Sequence, residues 1–406
     1  MNSQNDLIDY RELIGRYSFA EHAKRADQYF SSLKVDSPVA RKPFADSDEA
    51  SELCAGISAL IKGLGLFRGA RVLDFGAGTC WLSKILALLG CQVTAVDVSS
   101  SALDLGRQVI QSDPIGSKLP IDFISIADSR LPFADGSFDR VICFDALHHV
   151  PDQARAIAEF GRVLGDGGIA ALHEPGPDHS RQAQSQFEMR NYGVIEADVY
   201  IEELIAEALK GGFSKASLAI FTVTPMFLDL QSFNDFLEDR ALTSVGAREL
   251  AKTVQESFRT RRVFFLEKGD SSAHLDSRTR AGLHATLELK TRYQKSGLKL
   301  SGEARNTGKV TWLPSGSGLG EVNLGVHLSG AQGTTLALDY ARFPLSSQPI
   351  RPGESVAIDI EVPYPEAVDH GQLVFDLVAE GISWFELMGS APIKIAFDAG
   401  ATEGHF

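Results

Sequence analysis

The sequence predicts an α/β domain built on a mostly parallel sheet, followed by an all-β domain. Three observations carry this reading. Over the first 270 residues short apolar runs alternate with amphipathic stretches of helical period, and strands that recur with helices between them form a parallel sheet covered on both faces. Beyond Asp270 only short alternating runs remain, separated by Gly, Pro, Asn and Ser, which is the pattern of a β-sandwich. The 406 residues also exceed a single domain of about 100–200 residues.

Taken in order, "ARVLDF" (70–75) is a buried strand and "TCWLSKILALLG" (79–90) a helix closed by Gly90. "CQVTAVDV" (91–98) is the second strand, and "SSSALDLGRQVIQ" (99–111) a helix with Ser99 or Ser100 as its N-cap. "PIDFISIAD" and "FDRVICFDAL" are the third and fourth strands, "DQARAIAEFGRVL" a helix, and "GGIAALHE" the fifth strand. "DVYIEELIAEALKGGF" (198–213) is a helix ending at a Gly pair, and "SKASLAIFTV" a sixth strand. A helical insert occupies about 224–261, with amphipathic segments "LQSFNDFLEDRAL" and "GARELAKTVQESF", and "RRVFFLEKG" closes the domain as its last strand. Residues 1–270 form this domain and the polar stretch 271–283 is a linker. A sandwich over 284–399 follows, with strands at "ATLELKTRY", "LKLSGEARN", "EVNLGVHLSG", "SVAIDIEV", "GQLVFDLVAE" and "IKIAFD". Asn306–Gly308 and Pro352–Gly353 suit its turns, and Trp312 and Trp384 suit its core.

The net charge is −14, spread as −10 over residues 1–270 and −4 over the remainder, so both parts repel a polyphosphate and nucleic acid is not the expected partner. No apolar run reaches the roughly 18 residues of a membrane span, and the first residues lack a basic-then-apolar leader, so the expected location is cytoplasmic. Cys54, Cys80, Cys91 and Cys143 form no CxxC pair and read as reduced, buried thiols.

"VLDFGAGTCW" (72–81) places a Gly76–Gly78 turn between a strand and a helix. Such a turn lets the backbone approach a ligand, and the helix start supplies free N–H groups. Asp97, 21 residues after Gly76 and at the end of the second strand, suits the hydroxyls of a ribose. A dinucleotide fingerprint wants a third glycine where Trp81 stands, which counts against a nicotinamide cofactor. Together with "AVDVS", "AD" at 127–128, "LPFADGSFDRVICFDALHHV" and "EFGRVLGDGGIAAL", the loop resembles class I S-adenosylmethionine-dependent methyltransferases of the small-molecule type, over roughly Ala70 to Leu172. The resemblance implies a Rossmann-like, mostly parallel seven-stranded sheet and S-adenosylmethionine as cofactor. It implies further that Asp74, Gly76, Ala77 and Gly78 line the methionine part, that Asp97 takes the ribose hydroxyls with Val98 also among the cofactor-binding residues, and that Asp128 and Ser129 approach the adenine. Asp145 and Ala146 would flank the cofactor after the fourth strand.

A hydroxyl acceptor must lose a proton as it is methylated, and His148, His149, His173 and Glu174, all at or just beyond strand ends, are the candidate bases. His173, Glu174 and His179 show no metal-ligand spacing, and no metal is expected. The acceptor pocket is expected outside the shared core, in the N-terminal segment with Tyr10, Tyr17, Tyr29 and Phe30, in the Arg41–Lys42–Phe44 stretch, in the loop after Glu174, and in the insert.

The stretch from roughly Leu283 to Asp398 resembles immunoglobulin-like domains appended to bacterial enzymes of surface-polysaccharide assembly. That pairing implies O-methylation of a sugar, glycan or glycolipid. It also implies a sandwich that binds the acceptor, forms a homo-oligomer or docks on a glycan-assembly enzyme. A quinone, lipid or other small-molecule acceptor, or a non-catalytic scaffold built on the cofactor fold, are the alternatives.

Overall fold

In the computed structural model, the structure describes residues 7–220, 229–237, 245–269, 276–365 and 368–398. The chain separates into two compact units, one within residues 1–270 apart from 67–69, the other within 271–406 together with 67–69.

The first unit is built on seven strands: β1 (Arg71–Phe75), β2 (Gln92–Asp97), β3 (Ile121–Ser125), β4 (Phe138–Phe144), β5 (Leu164–Pro175), β6 (Phe213–Leu218) and β7 (Arg261–Lys268). They lie in the order β3-β2-β1-β4-β5-β7-β6, with β1 to β5 parallel and β7 antiparallel to both β5 and β6. This is the class I methyltransferase topology. Strand order reverses between β1 and β4, which opens a crevice at the carboxyl ends of the strands.

Ten helices accompany the sheet among the described residues. They are α1 (Tyr10–Arg16), α2 (Phe19–Ser31), α3 (Ser47–Leu64), α4 (Trp81–Leu88), α5 (Ser100–Gln111), α6 (Gln153–Val163), α7 (Ala183–Tyr192), α8 (Ile201–Lys210), α9 (Leu230–Leu237) and α10 (Val245–Thr260). Local chemistry fixes their starts. Ser18 and Glu21 form a reciprocal capping box on α2, Asp46 accepts from two N–H groups of α3, and Ser99 caps α5 through the Ala102 N–H. The strands are apolar on both faces, and Leu73, Val96, Val141, Phe160, Leu172 and Phe264 meet in one buried cluster.

Gly106, in α5, lies so close to the glycine loop that a Cβ there would sit 2.5 Å from the Thr79 carbonyl oxygen. α8 starts at Ile201, three residues later than its pattern suggests, and Asp198 lies in the preceding loop, where it accepts the Ser180 N–H at 2.9 Å. Of the expected insert, 224–228 and 238–244 lie outside the described residues.

The second unit has a three-stranded sheet, β12-β9-β8, of β8 (Ala285–Gln294), β9 (Gly297–Asn306) and β12 (Ser355–Pro363). It faces a sheet of β10 (Val322–Gly330), β11 (Thr335–Pro344), β13 (His370–Ala379), β14 (Ser383–Trp384) and β15 (Ile393–Asp398). All pairings are antiparallel. One apolar cluster fills the space between the sheets, with Trp312 fully buried and edge-on to Phe385 at 5.3 Å. Asn306 holds its turn by donating to the Val310 and Ile350 carbonyls and accepting from the Gly308 N–H.

Three expectations need correction here. Trp384 is half-buried outside this core, under the Arg342 guanidinium at 4.3 Å and beside His327. β11 was not anticipated, because it is an edge strand whose pairing slips register near Leu328 and whose Leu336 and Leu338 face solvent. Of the expected linker, 271–275 lie outside the described residues, while 276–283 are packed: Ser277 bonds Thr311, Leu313 and Gly320, and Leu283 is fully buried.

Candidate active site

The crevice at the strand ends of the first unit holds a cavity of about 610 Å³. Its floor is the loop after β1. Gly76 and Gly78 adopt φ of +70° and +51°, the left-handed region that glycine enters without cost. A side chain at Gly76 would place its Cβ 2.3 Å from that of Ala146, so the loops after β1 and β4 touch. Asp97 fastens the turn: Oδ2 accepts the Gly78 N–H at 2.9 Å and Oδ1 the Ser99 N–H at 2.8 Å. Burial raises the Asp97 pKa in spite of these bonds. Asp97, Val98, Asp145 and Ala146, four of the expected cofactor positions, line the cavity.

Other expected positions are placed differently. Asp74 is buried and turns away from the cavity to accept the Ser83 hydroxyl of α4 at 2.5 Å; burial pushes its carboxyl up to about 7. Ala77 packs against Cys80, Ala95 and Leu103 behind the loop. Asp128 and Ser129 are exposed and outside the wall, where Ile126 stands instead; Asp128 is occupied by the Ser129 hydroxyl and the Arg130 N–H. Cys54 is exposed, whereas Cys80, Cys91 and Cys143 are buried and their thiols are raised by desolvation.

The four candidate bases divide by geometry. His173 is buried and stacked on Phe144 at 4.1 Å, and it does not line the cavity. Glu174 is fully buried and also outside the wall. Its Oε1 accepts the N–H groups of Ala146 (3.0 Å) and Leu147 (2.8 Å), and its Oε2 accepts from His148 Nδ1 at 2.8 Å. The Glu174 pKa is lowered, because these bonds outweigh its burial.

His148 and His149 do line the cavity. Burial and the neighbouring His149 lower the pKa of His148. With its Nδ1–H committed to Glu174, its lone pair is at Nε2, 4.0 Å from Glu196 Oε2. His149 is half-exposed and gives Nδ1–H to the Ile195 carbonyl at 2.7 Å. Desolvation opposes its charged form, yet Glu196 and that carbonyl raise its pKa.

Several wall residues have no sequence signal. Glu196 accepts from His179 Nε2 at 2.9 Å, and its carboxyl is held down to about 2 by the three surrounding histidines. Together His148, His149 and Glu196 bring ligand-capable atoms within 4.8 Å of one another; a search for ligand spacing misses the group because Glu196 comes from the loop after α7. Arg261, the first residue of β7, pairs with Asp145, whose own φ is +50°; despite burial, Arg261 holds the Asp145 carboxyl far below the usual range. Lys42 lines the wall and pairs with Glu49 at 3.1 Å, while Phe44 faces solvent. Tyr29 and Phe30 belong to the wall, whereas Tyr10 is a docking contact, buried with Leu13, Met189 and Ile195. Trp81 also lines the cavity, edge-on to Phe144 at 5.2 Å.

The lining fits S-adenosylmethionine better than a dinucleotide. Among the described wall residues the only Lys and Arg are Lys42 and Arg261, both already paired with carboxylates, and Trp81 fills the position where a dinucleotide loop wants a glycine. A sulfonium cofactor carries positive charge and needs no free cation.

Residues 73–172 match the family model described as "Methyltransferase domain". The chain is 32% identical over 181 residues to "Methyltransferase GfsG" of Streptomyces halstedii, covering 42% of this chain and 61% of that protein. It is 37% identical over 101 residues to a "Ubiquinone biosynthesis O-methyltransferase" of Xanthomonas oryzae pv. oryzae, covering 25% and 41%. Both matches therefore span less than two thirds of the relative. Among solved structures, an S-adenosylmethionine-dependent methyltransferase from Mesorhizobium loti aligns at 17% identity and a TM-score of 0.39, over 53% of this chain and 98% of that one. Residues 73–172 of the first unit are a methyltransferase domain set in this topology, and S-adenosylmethionine is its cofactor.

Proposed function

We propose that this protein is an enzyme that transfers the methyl group of S-adenosylmethionine to a hydroxyl of a sugar, glycan or glycolipid. The observation that carries the reading is His148 on the cavity wall, with Nδ1–H held by buried Glu174 and Nε2 left basic. The bound cofactor supplies an electrophilic methyl. Gly76, Gly78 and Asp97 hold it, and the cavity brings the acceptor into line, which is most of what a displacement needs. His148 Nε2 takes the acceptor's proton, and Glu174 stabilises the resulting imidazolium. Glu174 is a positioning residue, because it does not touch the cavity.

A sugar suits the wall chemically. Phe30, Trp81 and Tyr192 offer flat apolar faces, while Gln182, Gln184 and Glu188 offer hydrogen-bonding groups among them. The pairing with a β-sandwich of the immunoglobulin-like kind supports a glycan acceptor, by analogy of architecture. On this reading the sandwich binds the glycan, a second copy or an assembly enzyme, and the reaction takes place in the cytoplasm. A quinone or lipid acceptor is the second reading, favoured by the likeness to the ubiquinone-pathway enzyme.

The test incubates the protein with cofactor labelled in its methyl group, against glycan, glycolipid and quinone extracts, and identifies the product by mass spectrometry. Label on a carbohydrate oxygen that disappears with His148→Asn supports the proposal. Label only on quinone supports the second reading. Failure to bind S-adenosylhomocysteine in calorimetry removes both.

A further inference from the structure

Helix α2 contributes Phe19, His22, Ala23, Ala26, Tyr29 and Phe30 to the cavity wall, a stripe at helical spacing along one face. Yet none of its residues is fully buried. An amphipathic helix in a folded unit ordinarily lays its apolar face on a packed core; this one lays it over an open cavity, so its edges must hold it. One edge meets α7, where Tyr29 stands edge-on to Tyr192 at 5.2 Å. The other edge meets the N-terminus of α5. There a single carboxylate oxygen, Asp27 Oδ1, accepts from the Ser101 N–H at 2.8 Å, the Ser99 hydroxyl at 2.9 Å and, more weakly, the Ser100 hydroxyl at 3.4 Å.

These contacts join two functional parts. The Ser99 N–H is bound by Asp97, the expected ribose ligand, while the Ser99 hydroxyl is bound by Asp27 of the covering helix. Bonds to backbone and hydroxyl donors at a helix N-terminus, where the macrodipole also favours an anion, are the kind that keep a carboxylate charged. Consistently, the Asp27 pKa is lowered although the group is partly buried.

We propose that Asp27 is a positioning residue: the latch by which α2 closes over the bound cofactor, fastened to the turn that also carries the ribose-binding Asp97. The idea rests on the cavity being the S-adenosylmethionine site. When Asp27 lets go, α2 swings from the α5 side while its Tyr29–Tyr192 edge remains. Closure therefore controls how fast the cofactor enters and leaves more than how tightly it sits.

Stopped-flow binding of S-adenosylhomocysteine, followed by the fluorescence of Trp81 in the cavity wall, tests this on the full chain. Losing bonds to a charged group predicts that Asp27→Ala raises the dissociation rate about tenfold. The association rate should rise too, so the dissociation constant changes less than either rate. Asp27→Asn, which keeps an accepting oxygen, should fall between. Lys24→Ala, on the exposed side of α2, should behave as wild type. Asp97→Ala, which removes the expected ribose ligand itself, should raise the dissociation constant more than Asp27→Ala does. Unchanged rates in Asp27→Ala overturn the latch. So does a slower association with lower thermal stability of the ligand-free protein, which marks a merely structural role. If the wild type does not bind S-adenosylhomocysteine at all, it is the cofactor reading that fails, and the latch with it.

Discussion

Replacing Glu174 by Gln should damage both stability and chemistry, and the size of the effect follows from the bonds its carboxylate accepts, which include a weak one from the Cys143 thiol at 3.3 Å. The wild-type carboxylate accepts the N–H groups of Ala146, Leu147 and, at 3.3 Å, His148, as well as the His148 ring Nδ1–H, all in a site with no solvent exposure. A glutamine offers one accepting oxygen and one NH2. If the oxygen faces Ala146 and Leu147, the NH2 meets His148 and drives its ring to the tautomer protonated on Nε2. If it is reversed, two buried backbone donors are left unsatisfied. A buried donor without a partner costs about 1–3 kcal/mol, and loss of the charge weakens the surviving bonds, so the first unit should lose about 2–4 kcal/mol. Urea unfolding followed by circular dichroism measures this. Nitrogen NMR of the imidazoles reports the tautomer without any acceptor being known. A variant within about 0.5 kcal/mol of wild type, with His148 still protonated on Nδ1, would refute the claim that Glu174 anchors this loop and sets the base.

Other outcomes follow from the same geometry. Asp74 has a folded-state pKa of about 7, above its unfolded value of about 3.9, so its contribution to stability is fully present below pH 4 and is lost as pH rises through 7. Asp74→Asn keeps an acceptor for Ser83 and should flatten that loss, which amounts to as much as about 1.4 kcal/mol per pH unit across the window; parallel pH curves for the two proteins would contradict it. Gly76→Ala sets a methyl against Ala146 at a positive φ, and calorimetry should find S-adenosylhomocysteine binding weakened more than tenfold, beyond the roughly 1 kcal/mol strain of the turn alone. Trp312→Ala empties the largest side chain from the sandwich core and should destabilise the second unit by about 3–5 kcal/mol. Thermal unfolding with and without S-adenosylhomocysteine should show that loss with cofactor affinity unchanged.

The sheet was legible because its strands are apolar on both faces and its elements carry local signals: Ser99 and the Gly76–Gly78 turn announce themselves within a few residues. Asp97 was legible for the same reason, standing at a fixed distance from the loop it fastens. What sequence reading misplaced depends on side-chain direction. Glu174 and His173 stand one after the other at a strand end, and only the fold shows that one is bound under the β4 loop and the other stacked on Phe144. Asp128 fits the spacing of a cofactor ligand, yet its carboxylate is spent on its own turn. Glu196 and Arg261 were invisible because they reach the cavity from distant segments whose local patterns are unremarkable loop and strand starts. Edge strand β11 escaped because its solvent-facing leucines blur the alternation that marks a half-buried strand.

The close approach of Gly106 to the glycine loop bears on how such sites diverge. In a dinucleotide fingerprint, the small residue that lets a helix nestle against its strand belongs to the loop's own helix, at the position Trp81 fills here. In this chain the concession to size lies on the neighbouring helix, where the missing Cβ of Gly106 makes room for Thr79 and Cys80. Position 81 instead carries an indole that both lines the cavity and packs edge-on to Phe144. A pattern written along a single segment sees the loop but not the glycine 25 residues beyond Trp81 against which the loop rests.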